Sequence, residues 1–390
     1  MTAERNLKGT QCMPTTSFNP AELLVDGANW AGKTYLNTAA EGLLLRECFN
    51  AVQRYLGDKA SGEPGRVPMW ATLERARERA GRLFGITANR TAIVSSTTEA
   101  LNAVAQGIDW RPGDEVVFTS VEFPSNMFPW VTLLERGVKT RIVSPRDGRV
   151  WLEDILEQIN PRTRLVTLSQ VSYATGQHLD PRPIWEEVQN SQTLLCVDAT
   201  QATARVEVSG NHADFVIASG FKWLNSIHGA AIMGVSQRGL DQGVRGPAGW
   251  FSAESCYAPD RLEQFHPRQD AGRFHAGMPN FDSVYSLAAA LEFHTPERVA
   301  SRRAELEPLV TQTWTGLEQL GLPVLTPADP ADRAGIVAIS CPTSEDVKRH
   351  LIERGIYTHG DDGRVRAAIH WYTTAEQVDR YLAAIRELLC

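Results

Sequence analysis

The sequence predicts an α/β protein, a mostly parallel sheet covered by helices and joined to a smaller α+β domain. Between about residues 80 and 240, short β-branched apolar runs alternate with longer amphipathic stretches, the rhythm of strands linked by helical crossovers. After residue 285 the order becomes two helices, then strand, helix, strand, helix. A length of 390 residues suits one large core and a second, smaller one.

Taken in order, strands are expected at 92–95, 115–120, 164–169, 194–198, 215–219 and 230–235. The intervening helices are expected at 70–83, 99–106, 127–136, 151–158 and 183–190, and Pro112-Gly113-Asp114 marks a turn just before a strand. Helices at 286–293 and 297–320, strands at 335–340 and 364–371, and helices at 345–355 and 374–389 build the smaller domain. The expected division is an N-terminal segment (1–56) of which 21–56 completes the small domain, a large domain (57–285) and a small C-terminal domain (286–390). Residues 1–20 show no periodicity, and the chain has neither an internal repeat nor a low-complexity tract.

Composition narrows the function classes. The chain is 43 % hydrophobic and 22 % charged, an ordinary globular balance. A net charge of -7 without a basic stripe predicts no nucleic-acid partner. The polar start lacks the apolar stretch of a signal peptide, and no apolar run reaches the roughly 18 residues of a membrane span. A cytoplasmic protein without a membrane partner is therefore expected. The six cysteines lie far apart without CxxC pairs, and no two of the nine histidines form an HxxxH pair, so neither a disulfide frame nor a metal site is expected.

The segment 194–235 carries the chemistry. One apolar run ends at Asp198, a second ends at Ser219, and Lys222 follows three residues later. Ligands in open α/β sheets bind beyond the carboxyl ends of the strands, so Asp198 and Lys222 converge on one crevice. Either residue alone is more often a helix cap or a solvated loop residue. Together they suit pyridoxal 5'-phosphate: the lysine amine condenses with the aldehyde, and the carboxylate keeps the pyridine nitrogen protonated.

Asp198, Gln201, Ser219 and Lys222 follow the Asp-x-x-Gln…Ser-x-x-Lys pattern, and the chain resembles the class V aminotransferase family, which includes cysteine desulfurases, kynureninases and isopenicillin-N epimerases. The resemblance implies a fold-type I enzyme with a seven-stranded-type sheet in a pyridoxal-phosphate-binding large domain. It implies that Lys222 carries the cofactor, that Gln201 bonds its phenolic oxygen and that Ser219 bonds its phosphate. Val94 to Asn102 follows a strand and opens a helix, whose free N–H groups form an anion site to which Thr97 and Thr98 add hydroxyls. Alone, Thr-Thr-Glu is an ordinary capping arrangement. The resemblance places Thr98 on the phosphate.

Phe123, in Glu122-Phe-Pro-Ser-Asn126, stands where desulfurases carry a ring-stacking histidine and kynureninases another aromatic. A phenyl face can stack on the pyridine but cannot shuttle a proton. Tyr173 lies in a Tyr-Ala-Thr-Gly-Gln run similar to that of kynureninases, and Gly249-Trp250 is similar to their Gly-Trp pair. These place Tyr173 near cofactor or substrate. Arg366, in 365–379, matches the arginine that forks onto the substrate carboxylate. Arg273 to Asn280 resembles the family segment that reaches the neighbouring subunit's phosphate, which implies a homodimer and a cofactor role for Asn280. Met278 and Phe221 depart from the pattern, each replacing a phosphate-binding side chain with an apolar one. Asn37, Trp250 and Gly360 mark loops expected around the substrate side chain.

The implied first half-reaction is loss of the α-proton of an amino acid to the freed Lys222 amine. A persulfide-forming desulfurase needs a cysteine before Arg366, and 355–364 has none. A lyase acting by β-elimination or C–S or C–C cleavage is therefore favoured. Alternatives are an aminotransferase, or an epimerase with Tyr173 or His359 as second base. From other classes, the chain could be a catalytically inactive binding module. A nicotinamide dehydrogenase is opposed by the lack of GxGxxG after any strand.

Overall fold

A computed structural model describes residues 19–25 and 30–389. A short helix, α1 (Pro20–Leu23), precedes β1 (Thr34–Tyr35) and two long helices, α2 (Arg46–Ala60) and α3 (Arg66–Leu83). Alternating elements follow: β2 (Thr91–Val94), α4 (Thr97–Gly107), β3 (Glu115–Thr119), α5 (Phe128–Val131) and β4 (Lys139–Val143). The chain continues with α6 (Leu152–Leu156), β5 (Thr163–Ser169), α7 (Arg182–Val188), β6 (Leu194–Asp198), β7 (Phe215–Ser219), β8 (Ala231–Val235) and α8 (Gln237–Asp241).

Strands β2 to β8 form one seven-stranded sheet in the order β2-β8-β7-β6-β5-β3-β4. The run β7-β6-β5-β3-β4 is parallel, whereas β8 is antiparallel to both its neighbours, β7 and β2. β2 therefore points the same way as the parallel five, and six strands end at one edge of the sheet. Alternate residues serve opposite faces. Leu195, Val197, Val216 and Ala218 pack with Ala76 of α3 and Ile184 of α7. Leu194, Cys196, Phe215 and Ile217 pack with Leu101 and Val104 of α4. Burial on both faces is why these strands read as unbroken apolar runs.

The remaining elements are α9 (Phe281–Phe293), α10 (Pro296–Gln319), β9 (Ile336–Ser340), α11 (Ser344–Glu353), β10 (Ile356–Tyr357), β11 (Arg364–Ala368) and α12 (Ala375–Leu389). β9 and β11 pair antiparallel, β1 and β10 pair parallel. A separate core of Leu36, Val337, Ile339, Val365, Tyr381 and Ile385 holds this part together.

The elements differ from the expected bounds at several places. The boundary at 285/286 falls inside α9, whose Val284, Leu287 and Leu291 all belong to the large core, so the helix cannot be cut there. Only part of 21–56 joins the small unit: β1 pairs with β10 and Leu36 enters its core, but Leu24, Leu45, Cys48 and Ala51 pack into the large one. The helix expected at 127–136 is broken into α5 and a 3-10 turn over Thr132–Arg136, ending at left-handed Gly137. Strand β4 was not expected, because as an edge strand it exposes Lys139 and Ile142 and shows no apolar run. Strand β11 stops at Ala368, short of the expected 371. Among the described residues no helix is long and apolar enough to cross a membrane, and no group of three His, Cys, Asp or Glu could hold a metal ion.

Candidate active site

The carboxyl ends of β2, β3, β5, β6 and β7 open onto a cavity of about 570 Å³, closed on the far side by residues around β11. Thr97, Thr98, Phe123, Tyr173, Asp198, Gln201, Ser219, Lys222 and Arg366 all line it.

Lys222 is delivered by a tight turn beyond β7. Asn225, at a left-handed φ of 57°, donates its backbone N–H to the Lys222 carbonyl. Gly42 lies against that turn and donates to the Phe221 carbonyl. A Cβ on Gly42 would sit 2.0 Å from the Lys222 carbonyl oxygen, so only glycine permits the approach. The ammonium lies 5.3 Å from the Phe123 ring centre and 5.6 Å from that of Phe221. Burial lowers its pKa to about 8; the Arg366 charge adds to this, and Asp198 and Glu41 oppose it. Asp198 is buried, which pushes its carboxyl above the usual range, while the backbone N–H of Thr200 donates to Oδ1 at 2.9 Å.

Helix α4 points its N-terminus at the cavity. Its cap is Ser96, whose Oγ accepts the Glu99 N–H at 3.1 Å, so neither threonine is spent on capping. Thr97 Oγ1 lies 3.3 Å from Thr200 Oγ1, and Thr98 Oγ1 lies 2.7 Å from Ser125 Oγ. Nearby, the buried Ser219 hydroxyl has no hydrogen-bond partner among the described residues. Gln201 donates through Nε2 to the Ala39 carbonyl at 2.8 Å. A hydroxyl without a partner beside a helix N-terminus is the donor set a phosphate needs.

Arg366, on β11, is 5 % exposed and donates through Nη1 to the carbonyl oxygen of Tyr173. Its Nε is buried without an acceptor, and among the described residues no carboxylate lies within ion-pair distance. Burial lowers its pKa to about 10, still cationic at neutral pH. A buried, incompletely paired guanidinium at the cavity wall is a carboxylate receptor in waiting. The Phe123 and Tyr173 rings meet edge-on at 5.1 Å. Next to Phe123 in the chain, Glu122 is a buried carboxylate that accepts from Thr119 Oγ1 (2.9 Å), Asn126 Nδ2 (2.9 Å), Ser169 N (3.0 Å) and Ser169 Oγ (2.5 Å).

Four expected residues do not line this cavity: Asn37 and Asn280, and Trp250 and Gly360 of the loops expected around the substrate side chain. Asn37 sits in the strand-like bridge to Ala368, its Oδ1 buried and unpartnered, while its neighbours Ala39 and Ala40 form the wall. Asn280 caps α9 from outside and donates to Ser283 Oγ at 3.0 Å; with exposed Met278 it lines a separate recess. Thr200 was missed. Its hydroxyl ties Thr97 to the Ser219 backbone N–H (3.4 Å), and its place between Asp198 and Gln201 was the available signal. Ser125, Ser169, His359 and Asp362 also line the cavity.

The aminotransferase class-V family model matches residues 34–381. A probable cysteine desulfurase of Pyrococcus abyssi is 26 % identical over 381 residues, spanning 91 % of this chain and 94 % of its own. The apo cysteine desulfurase of Thermococcus onnurineus superposes with a TM-score of 0.85 at 23 % identity, over 95 % of this chain and 97 % of its own. The cystine C–S lyase C-DES, solved with its product cysteine persulfide, gives a TM-score of 0.83 at 23 % identity, over 92 % and 99 %. The structural likenesses, at that identity, bear on the fold. With the family match spanning nearly the whole chain, from β1 into α12, this protein is a member of the aminotransferase class-V family.

Proposed function

We propose that the chain is a pyridoxal-5'-phosphate enzyme that removes the α-proton of an amino acid and completes a lyase reaction, β-elimination or C–S or C–C cleavage, without a persulfide cysteine. The observation that carries this reading is the meeting of Lys222, Asp198 and Arg366 in one buried cavity.

The residues fit the cofactor. Lys222 would hold its aldehyde carbon, Asp198 its ring nitrogen, Phe123 its ring face and Gln201 its phenolic oxygen. The α4 N-terminus with Thr97, Thr98 and Ser219 would hold its phosphate. When bound, the cofactor supplies an electron-withdrawing ring that acidifies the substrate's α-carbon. Arg366 takes the substrate carboxylate through its free Nε and fixes the α-carbon near Lys222 Nζ. With its pKa near 8, that amine is partly neutral at physiological pH and can accept the α-proton. Tyr173 and Phe123 cover the opening and limit water.

The lyase assignment is supported by the cysteines. Among the described residues Cys48, Cys196 and Cys341 are buried, Cys256 is partly exposed, and none lines the cavity. Cys12 and Cys390 lie outside the described residues. The relatives named for C–S chemistry favour a sulfur-bearing amino acid as substrate. The segment 273–280, with Asn280 directed away from its own cavity, supports a homodimer in which it reaches the other subunit's site.

The test is spectroscopic. The purified protein should show a visible band that borohydride abolishes while fixing the cofactor to Lys222, and sulfur amino acids should perturb the band and release a keto acid. A colourless protein that ignores added cofactor overturns the reading.

A further inference from the structure

Beside Trp223, outside the cavity, lies a group of buried positive charges that the chemistry above does not use. Arg205 follows the Asp198–Gln201 turn and is 0 % exposed. Its Nε and Nη1 are buried without any acceptor among the described residues. Arg302 of α10, 2 % exposed, donates through Nη1 to His294 Nδ1 at 2.7 Å and reaches the Ala204 carbonyl at 3.5 Å. That contact carries Arg302 to the residue next to Arg205, whose charge it feels as repulsion.

Nothing in the group is negative. His294 uses a ring lone pair to accept from Arg302, so it is neutral. His370 faces two acceptors through Nε2, the Trp223 carbonyl (3.1 Å) and Asn225 Oδ1 (3.0 Å), so Nε2 carries the proton, while Nδ1 is buried without a partner among the described residues. Burial and the neighbouring guanidiniums hold both imidazoles well below their ordinary pKa. Glu307 is the acid whose field reaches Arg205, with its Oε1 already paired with Arg333 at 2.9 Å, and Glu305 is the acid whose field reaches Arg302. Among the described residues neither Arg205 nor Arg302 has a carboxylate within 4.0 Å.

The backbone makes way for this arrangement. Ala204 adopts φ 63°, unusual for a residue with a Cβ, immediately before Arg205. Arg205 crosses bare backbone at Gly335, just before β9, where a Cβ would lie 2.4 Å from Arg205 Nε. The sequence thus keeps a guanidinium where burial penalises it and provides no anion of its own.

We propose that Arg205 and Arg302 hold a small inorganic monovalent anion, of the charge and size of chloride, sealed at the junction between the large sheet and the β9–β11 unit. The two unspent N–H donors of buried Arg205, with the Arg302 cation beside it, suit a halide, and the near-zero exposure of both arginines favours a small anion over a group as large as a phosphate ester. The site is independent of the proposed catalytic reading.

Crystals of the full chain grown without halide and soaked in bromide test it directly. An anomalous peak within hydrogen-bonding range of both Arg205 and Arg302 is expected, and ordered water there without anomalous signal overturns the proposal. In solution, replacing gluconate by chloride at constant ionic strength should raise the Tm of the parent by about 3 °C at a hundredfold excess over Kd. Arg205→Met should abolish that shift. An equal chloride response in parent and variant, or none in the parent, counts against the site. Should the variant fail to fold, the bromide experiment on the parent still decides.

Discussion

The indole Nε1 of Trp223 donates to Gln201 Oε1 at 2.6 Å, and because Gln201 Nε2 also donates to the Ala39 carbonyl, the amide is clamped at both ends. Its orientation is thereby set, leaving one N–H for the phenolic oxygen of the proposed cofactor. Trp223→Phe should free the amide to turn and weaken cofactor binding about three- to tenfold, the worth of roughly one hydrogen bond. Titration of the cofactor-free protein by absorbance would measure it, and an unchanged affinity would show that the clamp has no such role.

Removing the amine should separate chemistry from folding. Lys222→Ala is expected to lower kcat by about a thousandfold or more. Borohydride should then fix no cofactor to the protein. The unfolding temperature should hold or rise, since a buried amine is costly to desolvate.

The same amine sets a pH dependence. With a folded pKa near 8 against an ordinary 10.5, the rate of cofactor capture should climb about tenfold per pH unit up to 8 and then level off. Between about 8 and 10.5 the unfolded chain binds more protons at this lysine than the native one. The cofactor-free protein should therefore gain stability from this group as pH rises through that window, and not below it. Capture rates that keep rising past pH 10 would place the amine in water.

Arg366→Lys keeps the charge but loses the planar fork and its Nε donor. An increase in KM for amino acids of about ten- to a hundredfold is expected, with a smaller change in kcat. Steady-state kinetics checks it. Equal losses in both parameters would assign Arg366 to the chemical step instead.

Glu122→Ala should destabilise the fold by about 2–4 kcal/mol, because it strands the donors of Thr119, Asn126 and Ser169 in the interior. Denaturant unfolding would measure the loss.

What could be read without coordinates follows from burial. Strands 194–198 and 215–219 were placed residue for residue because each is apolar on both faces and ends at a polar residue, Asp198 or Ser219. Edge strand β4 was invisible because Lys139 and Ile142 meet solvent and the polar Thr140 and Arg141 between them break any apolar run. The motif residues 198, 201, 219, 222 and 366 reach one cavity since short motifs at strand ends keep their direction. Asn37 and Asn280 stand outside it, because their placement depends on long-range contacts with Ala368 and Gly229 that no local pattern encodes. The buried arginines 205 and 302 carry no periodic signal and are legible only in three dimensions.

Arg366 leans on a main-chain oxygen at position 173, so the identity of that residue's side chain is not part of its anchorage. Drift at this one codon could reshape the mouth of the pocket for a bulkier or smaller substrate while the grip on the common α-carboxylate survives. Such an arrangement lets a lineage change what it consumes without rebuilding how it holds it.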